Sequence, residues 1–429
     1  MNRHTMTDLL QMQSVPLLGK ISMTQQRIRA WYDHFDGEVY VSFSGGKDST
    51  VLVDIITKMG YKDIPLVFVD TGLEYPEIRE FVKGYGDRVT WLRPKMNFKQ
   101  VIEKYGYPFI SKEVSESVQG ARKYLTSILN EQASLTDRQT DRQTDRQTDR
   151  PYRYFYDKVC GLGKYAKSFG GTTTSIENSE ELANILNERM VNRRGGSNQR
   201  LAIMLGMLTN NPEHPIKANI PDKDRSIFSL EKYKFFLESP FEISNRCCTV
   251  MKKEPSKRYS KETGRKPITA QMASESRLRT QKWLQNGCNG FEMKSPISNP
   301  MSFWTEQDIL LYIKQNNLPI CSVYGDIVED LEGTEEVEGQ MTMSDIAGWE
   351  DQGIFDAERL PLKTTGCNRT GCMFCGFGCH IKDDERFVKM KSTHPKQYEW
   401  IMKPWSEGGL GYKDVIDWIN EHGNMNIRY

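Results

Sequence analysis

A short apolar run that leads into a glycine turn constrains this chain most. Residues 38–43 (Glu-Val-Tyr-Val-Ser-Phe) alternate in hydrophobicity and predict a buried β-strand. Residues 44–46 (Ser-Gly-Gly) then predict a tight turn, because glycine adopts backbone conformations that other residues avoid. Residues 48–50 (Asp-Ser-Thr) have the side chains that cap helices, so we expect a helix that begins at Val51.

The junction between this strand and this helix suits an anion. Gly45 and Gly46 have no side chain, so the backbone N–H groups of the turn can approach phosphate oxygens. A helix N-terminus adds roughly half a positive charge, and Lys47 adds a full one. The spacing is not that of a Walker A loop, because Val41 stands where that pattern requires glycine and Asp48 follows the lysine. An ordinary turn between strand and helix is the alternative interpretation.

Further strands and helices alternate along the chain. Residues 64–70 and 88–93 read as buried strands with a helix over 75–84 between them, and residues 266–270 resume the sheet later. This order predicts an α/β fold with a doubly wound, mostly parallel, Rossmann-like sheet, whose ligand lies at the carboxyl ends of the strands. Residues 70–72 (Asp-Thr-Gly) follow the second strand, so we expect them to line the ligand pocket rather than form a plain turn.

Charge and hydropathy limit the partners. The formal net charge is +1, so no global field attracts the protein to nucleic acid or membrane. The chain has no apolar run of membrane-spanning length and no apolar leader, so we expect a cytoplasmic protein without membrane contact. Residues 246–282 nevertheless hold eleven Lys and Arg against three Asp and Glu. This basic strip is either a surface for the phosphates of DNA or tRNA, or a solvated helical face.

The pattern divides the chain into four parts. We expect residues 1–114 and 239–325 to be the two halves of one α/β domain that carries the anion-binding loop, separated by a mostly helical insert over 115–238. The insert contains a Thr-Asp-Arg-Gln repeat over 136–150, which has no apolar face and should be exposed. Residues 326–429 combine an acidic loop, a cysteine-rich segment and C-terminal helices.

Nine cysteines are many for a chain expected in a reducing compartment, where clustered cysteines indicate metal binding or catalysis. The adjacent pair Cys247 and Cys248 and the distant Cys-x2-Cys of Cys372 and Cys375 supply four thiolates, enough for an iron–sulfur cluster or Zn. The run of cysteines over 367–379 is alternatively a site of its own.

Two family resemblances follow from these motifs. Ser-Gly-Gly-Lys-Asp-Ser over 44–49 resembles the PP-loop of the adenine-nucleotide alpha-hydrolase-like superfamily. A PP-loop followed by Cys-Cys and then by Cys-x2-Cys resembles the phosphoadenosine phosphosulfate and adenosine phosphosulfate reductase family. The similarity covers about residues 36–113 and 240–380.

The resemblance implies ATP or an adenylyl sulfate as ligand, with Mg²⁺ as a further cofactor. The residues implied to hold the nucleotide are Ser44, Gly45, Gly46, Lys47, Asp48, Ser49, Asp70, Thr71, Gly72 and Arg277. Lys47 and Asp48 are the catalytic candidates: Lys47 neutralises phosphate charge, and Asp48 is expected to cap the helix and form the turn rather than act as a base. Asp70 and Thr71 would line the nucleoside or bind Mg²⁺. The adenosine-phosphosulfate branch carries a 4Fe–4S cluster, which by position would be held by Cys247, Cys248, Cys372 and Cys375.

The chain departs from the reductase pattern in two places. Reductases of the family carry Thr-Gly-x-Arg ahead of Gln-Ser or Glu-Ser, and that arginine grips the sulfate. Here Met272 stands at its place, and methionine cannot pair with sulfate. The family's C-terminal Glu-Cys-Gly-Leu/Ile-His, which holds the nucleophilic cysteine, is also absent from the sequence.

These departures favour a second class of reaction. The same motifs resemble the sulfur-transfer proteins of bacterial DNA phosphorothioation (the Dnd and Ssp systems) and PP-loop enzymes that thiolate tRNA. We therefore expect ATP-dependent activation of a nucleic acid, followed by sulfur insertion with a cysteine desulfurase as partner. The alternatives are reduction of adenylyl sulfate to sulfite with a reductant protein, and a non-catalytic nucleotide sensor or adaptor.

Overall fold

The computed structural model describes residues 3–122, 230–330 and 360–429. The chain forms two compact units: Met1–Asn97 with Val250–Met373, and Phe98–Thr249 with Phe374–Tyr429. The Thr-Asp-Arg-Gln repeat and most of the predicted insert lie outside the described residues, so the insert and its helical character stay predictions.

The α-helices begin and end as follows: α1 (Met6–Ser14), α2 (Leu17–His34), α3 (Lys47–Lys58), α4 (Pro76–Lys83), α5 (Phe98–Tyr105), α6 (Glu254–Thr263), α7 (Arg277–Asn286), α8 (Glu306–Asn316), α9 (Arg386–Thr393), α10 (Pro395–Met402) and α11 (Tyr412–Gly423). Residues 112–122 are also helical. Shorter helical turns are Gly86–Arg88, Glu231–Glu238, Arg246–Cys248, the π-helical Thr249–Lys253, Ala273–Glu275, Ser322–Tyr324 and Trp405–Glu407.

The strands are β1 (Val39–Ser42), β2 (Leu66–Val69), β3 (Val89–Leu92), β4 (Phe109–Ile110), β5 (Lys266–Ile268), β6 (Asn289–Gly290), β7 (Ile297–Ser298), β8 (Ile327–Glu329), β9 (Leu362–Thr364) and β10 (Gly376–Phe377).

A six-stranded sheet forms the centre of the first unit. Its order is β3-β2-β1-β5-β7-β6, in which only the β6–β7 pair is antiparallel. The register pairs Val41 with Leu66 and with Ile268, so apolar side chains of three adjacent strands share one face. The mostly parallel α/β sheet predicted from the sequence is thereby confirmed, including the strands expected over 38–43, 64–70, 88–93 and 266–270.

The apolar core lies around this sheet. β1 and β2 are almost fully buried because helices cover a parallel sheet on both faces. Trp31 of α2 and Trp304, which precedes α8, are both 0 % exposed. The Trp304 indole Nε1 donates to the Thr24 hydroxyl at 2.9 Å, so a buried polar contact joins α2 to the segment that leads into α8.

Thr305 fixes the start of α8. Its hydroxyl accepts from the backbone N–H of Asp308, and the Asp308 carboxylate accepts from the backbone N–H of Thr305 at 2.7 Å. This reciprocal capping box satisfies two helix-end donors. The cap places Glu306 at the first position of the helix.

The second unit packs aromatic side chains around a short parallel pair, β4 with β10. Tyr412, at the first position of α11, is fully buried and its hydroxyl donates to the Phe374 carbonyl at 2.7 Å. The Tyr412 ring lies 5.1 Å from that of Phe109 and 6.0 Å from that of Phe387. The predicted cysteine-rich segment therefore lies partly within an aromatic core.

Among the residues that the structure describes, no helix is long and apolar enough to cross a membrane.

The Thr24–Trp304 contact gives a test of the first unit's packing. Thr24→Val keeps the shape of the side chain but leaves the buried indole donor unpaired, which costs about 1–3 kcal/mol. Thr24→Ser is the matched control, because it keeps the hydroxyl and loses one methyl group. Denaturant unfolding should show Thr24→Val to be less stable than Thr24→Ser, and equal stability would contradict the assigned role of the hydrogen bond.

Candidate active site

The PP-loop connects β1 to α3 at the carboxyl edge of the sheet. Gly45 adopts φ +70°, in the left-handed region that favours glycine. A Cβ atom there would lie 2.7 Å from a Val82 methyl carbon and 2.9 Å from one of Ile78. Since both side chains are buried in the core, α4 holds the turn against the sheet. The tight glycine turn predicted from the sequence is present.

Hydroxyl groups hold the loop in shape. The Ser44 and Ser49 hydroxyls are 3.0 Å apart, and the Ser49 hydroxyl donates to the Gly46 carbonyl at 2.9 Å. The Thr50 hydroxyl donates to the same carbonyl at 3.0 Å. These contacts position the loop before any ligand arrives.

The expected helix start at Val51 is wrong. α3 begins at Lys47, and its N-cap residue is Gly46, with no side-chain cap hydrogen bond. Asp48 therefore lies in the first helical turn instead of capping it. The reason is that the glycine turn ends in an extended conformation at Gly46 (φ −77°, ψ 158°), which allows the helix to start one residue later.

Lys47 is buried, with only 2 % of its side chain exposed. Its ammonium Nζ lies 2.8 Å from a carboxylate oxygen of Glu306 and donates to the Asn368 carbonyl at 2.7 Å. Its backbone N–H donates to the Tyr324 hydroxyl at 3.2 Å. The predicted phosphate-neutralising lysine is thus at the loop, and its charge is matched by a carboxylate from α8.

Asp48 is a partly buried carboxylate next to Lys47. Its Oδ1 atom lies 3.8 Å from the Lys47 ammonium and accepts no hydrogen bond within the described part of the chain. Burial raises the pKa of Asp48; Lys47, the next strongest influence, lowers it, Glu306 raises it, and Arg369 and Arg279 lower it. The Asp48 carboxyl therefore lies among charged groups at the loop.

Asp70, Thr71 and Gly72 form a turn at the end of β2. One Asp70 carboxylate oxygen lies 2.9 Å from the Arg79 guanidinium, and the other accepts from the Gly72 N–H at 3.3 Å. The Thr71 hydroxyl donates to the Glu74 carboxylate at 2.8 Å. The predicted pocket residues 70–72 thus position Glu74. For Asp70 to bind Mg²⁺, its carboxylate would have to leave the Arg79 guanidinium.

A cleft opens beside the loop in the first unit, at the carboxyl ends of β1 and β2. Its cavity volume is about 120 Å³, smaller than the roughly 300–1,000 Å³ of sites that enclose a drug-sized ligand. Its lining residues are Ser42, Phe43, Ser44, Val67, Phe68, Val69, Glu74, Ile78, Lys252, Ser256, Thr370 and Gly371. Lys252 and Glu74 face each other across it at 3.9 Å. This position is the one that the strand order predicted for a ligand.

Two arginines near the loop, Arg279 and Arg369, were not singled out from the sequence. The predicted Arg277 is exposed at the start of α7. Arg279, two residues later, is partly buried and forms an ion pair with Glu275. The Arg369 guanidinium lies 3.8 Å from the same Glu275 carboxylate. Burial lowers the pKa of Arg279, and Arg369 lowers it further, as expected for two neighbouring cations. The spacing Glu-Ser-x-x-Arg over 275–279 was the available signal for Arg279.

Met272 is 1 % exposed and packs in the core of the first unit. It presents no group to an anion, in agreement with the departure noted in the sequence.

The predicted thiolate ligands are divided by unit. Cys372 belongs to the first unit, and Cys247, Cys248 and Cys375 belong to the second. In the second unit the sulfurs of Cys247 and Cys248 are 4.0 Å apart. Burial raises the pKa of Cys375, as does the nearby Cys248, and burial raises the pKa of Cys379 to about 12.

Tyr412 interacts electrostatically with three of these thiols. Burial raises the pKa of Tyr412 most, and Cys375, Cys247 and Cys379 raise it further. Within the described ranges, no three His, Cys, Asp or Glu side chains are arranged to hold a metal ion. The four-cysteine centre stays a prediction from the sequence.

Comparison with known proteins identifies the family of this chain. The model of the phosphoadenosine phosphosulfate reductase domain matches residues 38–148 and 214–376. The chain therefore belongs to the phosphoadenosine phosphosulfate reductase domain family, as the PP-loop and the cysteine pattern indicated.

The individual relatives align over different shares of this chain. Two uncharacterised proteins of Methanocaldococcus jannaschii are 39 % identical over 85 residues and 35 % identical over 88 residues. Each alignment spans 19 % of this chain, and 18 % and 21 % of the respective relative. A phosphoadenylyl-sulfate reductase from Candida auris, solved with phosphate, aligns over 70 % of this chain and 82 % of its own, at 13 % identity and a TM-score of 0.30.

The PP-loop turn can be tested with two glycines of the first unit. Gly45 and Gly72 both have positive φ, but a Cβ on Gly72 would meet nothing within 4 Å. Both alanine variants strain the backbone, and only Gly45→Ala also presses on α4, so it should lose about 1–3 kcal/mol more stability than Gly72→Ala. Thermal unfolding of the two variants measures the difference; equal losses would show that α4 does not hold the turn.

Proposed function

We propose that this chain binds the phosphates of an adenine nucleotide at the PP-loop and uses ATP to activate a nucleic acid for sulfur insertion. The observation that carries nucleotide binding is the cleft beside the PP-loop, at the carboxyl ends of β1 and β2. Parallel α/β sheets place their ligands at this edge. The loop adds the charge of Lys47 and the N-terminus of α3, both suited to an anion.

The reaction needs two displacements. An oxygen of the acceptor attacks the α-phosphorus of ATP, the bond from that phosphorus to pyrophosphate breaks, and an adenylated acceptor forms. Sulfide then attacks the activated atom of the acceptor, whose oxygen leaves with AMP. In the first step Lys47 would hold the phosphate charge while the glycine amides orient the phosphates. The sulfur would come from a cysteine desulfurase acting as partner, whose persulfide a thiol reductant converts to sulfide and a disulfide.

A basic surface in the first unit supports a polyanionic acceptor. Lys257, Arg258 and Lys261 of α6 line a second cleft together with Lys95, against a single carboxylate, Glu254. The Arg258 guanidinium donates to the Arg93 carbonyl at 3.0 Å, which fixes one cation in place. Lys257, Arg258 and Lys261 are part of the basic strip predicted over 246–282, and Lys95 lies outside it. Phosphate contacts of this kind weaken steeply as salt rises.

The thiol set of the second unit fits a thiolate-bound metal centre. Two thiolates on one tetrahedral metal ion with bonds of about 2.3 Å lie roughly 3.8 Å apart, and the sulfurs of Cys247 and Cys248 are 4.0 Å apart. Soft thiolates select Zn or iron–sulfur clusters. The family resemblance implies a 4Fe–4S cluster, in which each cysteine binds an iron of its own. For such a cluster, which we propose, the Cys247 and Cys248 sulfurs would have to move further apart than this spacing. Such a cluster would supply electrons or bind sulfide.

One observation favours a second candidate, the reduction of an adenylyl sulfate to sulfite. Arg279 and Arg369 share the single carboxylate of Glu275 near Asp48, so this group has positive charge available for a sulfate or phosphate. The buried Met272 argues against the usual sulfate contact.

Nucleotide binding is tested with two variants of the same helix. Lys47→Met removes the ammonium at the loop, and Lys58→Met removes one at the other end of α3, where it pairs with Asp54. Lys47→Met should weaken ATP binding at least about tenfold, because contacts to charged groups are the strong ones. Lys58→Met should bind as the unaltered chain does. Calorimetric titration measures both; equal affinities would overturn the assignment of the PP-loop.

Anaerobically purified protein then distinguishes the reactions. Pyrophosphate release that depends on DNA or tRNA supports sulfur transfer, whereas sulfite release from adenylyl sulfate and a reductant supports the reductase. Nucleotide binding without either activity supports a sensor. Iron and acid-labile sulfide in the protein support the cluster, and zinc without iron would overturn it.

A further inference from the structure

The donor groups of Lys47 in the PP-loop are already occupied by groups of the chain itself. The Lys47 ammonium contacts the Glu306 carboxylate and the Asn368 carbonyl, and the Lys47 backbone N–H donates to the Tyr324 hydroxyl. A Cβ on Gly46 would lie 3.1 Å from that hydroxyl and 3.4 Å from the Thr370 hydroxyl. The space over the glycine turn, where a phosphate would approach, is therefore filled.

The groups that fill this space present oxygen atoms that accept hydrogen bonds, as a phosphate does. A hydroxyl oxygen, a carbonyl oxygen and a carboxylate face the start of a helix and an ammonium, which favour negative charge. Burial raises the pKa of Tyr324 to about 12, so its phenol stays neutral. Its oxygen accepts from the Lys47 N–H and lies 2.5 Å from the Thr370 hydroxyl.

Two of these four groups, Asn368 and Thr370, belong to one segment, residues 366–371, which we call the strap. The N–H groups of Gly366 and Cys367 donate to the carbonyls of Tyr324 and Val323, each at 2.9 Å. A Cβ on Gly366 would lie 2.4 Å from the Val323 carbonyl oxygen, so the backbones are in close contact. The turn Ser322–Tyr324 and the strap therefore move together.

The other end of the strap reaches the cleft. Thr370 and Gly371 line it, and the Met373 N–H, two residues further on, donates to the Leu73 carbonyl at 2.8 Å. Leu73 precedes Glu74, which also lines the cleft. Around Gly371 a Cβ would meet nothing within 4 Å, so this end has room to shift.

We propose that the strap, with Tyr324 and Glu306, is an internal substitute for the nucleotide's phosphate, which occupies the PP-loop in the free protein and is displaced by a phosphoryl group. The proposal rests on the proposed nucleotide site and adds its regulation. Because Cys367 lies within the strap and Cys372 follows it directly, displacement moves the segment that carries the predicted metal ligands. Nucleotide binding would thereby be coupled to the cysteine segment.

The competing account makes the Tyr324 and Thr370 hydroxyls direct ligands of the phosphate. The two accounts predict opposite signs when a hydroxyl is removed. A ligand that is lost weakens nucleotide binding. A competitor that is lost strengthens it, because the Lys47 N–H no longer has to exchange a partner.

The test measures the affinity for adenylyl imidodiphosphate, a non-hydrolysable ATP analogue, by calorimetric titration. Tyr324→Phe keeps the ring and removes the competing oxygen, and should bind roughly three- to tenfold more tightly, the factor for one neutral hydrogen bond. Thr370→Val should shift the affinity in the same direction. Tyr312→Phe is the matched control: it removes a buried hydroxyl that donates to Asp54 at 2.6 Å, away from the loop, and should leave the affinity unchanged.

Weaker binding by Tyr324→Phe and Thr370→Val, with the unaltered chain still binding, would overturn the strap and leave the nucleotide site standing. If Tyr324→Phe binds the nucleotide analogue and the unaltered chain does not, this result would support displacement of the strap. No binding by any of these proteins would overturn the nucleotide site and the strap with it.

A second readout follows Cys367 in the unaltered chain. Trypsin cleaves after Lys363 and Arg369 and releases residues 364–369, which contain Cys367 and no other cysteine. Mass spectrometry of this peptide therefore measures the alkylation of one thiol. The nucleotide analogue should speed alkylation of Cys367 at least about threefold, the lower bound from one lost hydrogen bond. An unchanged or slower rate at saturating nucleotide would overturn the displacement.

Discussion

A buried lysine at the mouth of a glycine turn is the constraint on which the rest of this site depends. An ammonium that is 2 % exposed cannot remain without an acceptor, because an unpaired buried charge is costly. Glu306 from α8 and the Asn368 carbonyl supply the acceptors, so two distant parts of the sequence must reach the PP-loop. The nucleotide, where it binds, must offer Lys47 at least as good an arrangement.

The fold positions the groups that surround Lys47 and the cleft. The parallel sheet brings the ends of β1 and β2 to one edge, the Thr305 cap places Glu306 at the start of α8, and the turn over Asp70 places Glu74 at the cleft. Each group is fixed by local chemistry before a ligand is considered. Asp48 lies 3.8 Å from the Lys47 ammonium, and Arg279 and Arg369 both contact Glu275, so further charged groups lie near the loop. In the proposed function, phosphorylated ligands would be distinguished by how well they replace the internal contacts.

The sequence predicted the strands, their mostly parallel arrangement and the PP-loop, because hydrophobic alternation and glycine turns are local signals. It placed the start of α3 four residues too late, since the extended Gly46 permits an earlier start than the capping residues suggested. It did not find Glu306, Tyr324 or Asn368, because their contacts with Lys47 join residues far apart in the chain and have no periodic signature. Arg277 was singled out from its neighbours in the motif, while the partly buried ion pair belongs to Arg279.

The proposed nucleotide site and the occupied Lys47 together set a physical condition: phosphate binding would have to release the strap. A crystal structure of the chain with adenylyl imidodiphosphate tests this most directly. The account predicts a phosphate oxygen at hydrogen-bond distance from the Lys47 ammonium and from its backbone N–H, with the Asn368 carbonyl and the Tyr324 hydroxyl withdrawn from both. A nucleotide bound at the loop with the Tyr324–Lys47 and Asn368–Lys47 contacts intact would contradict it.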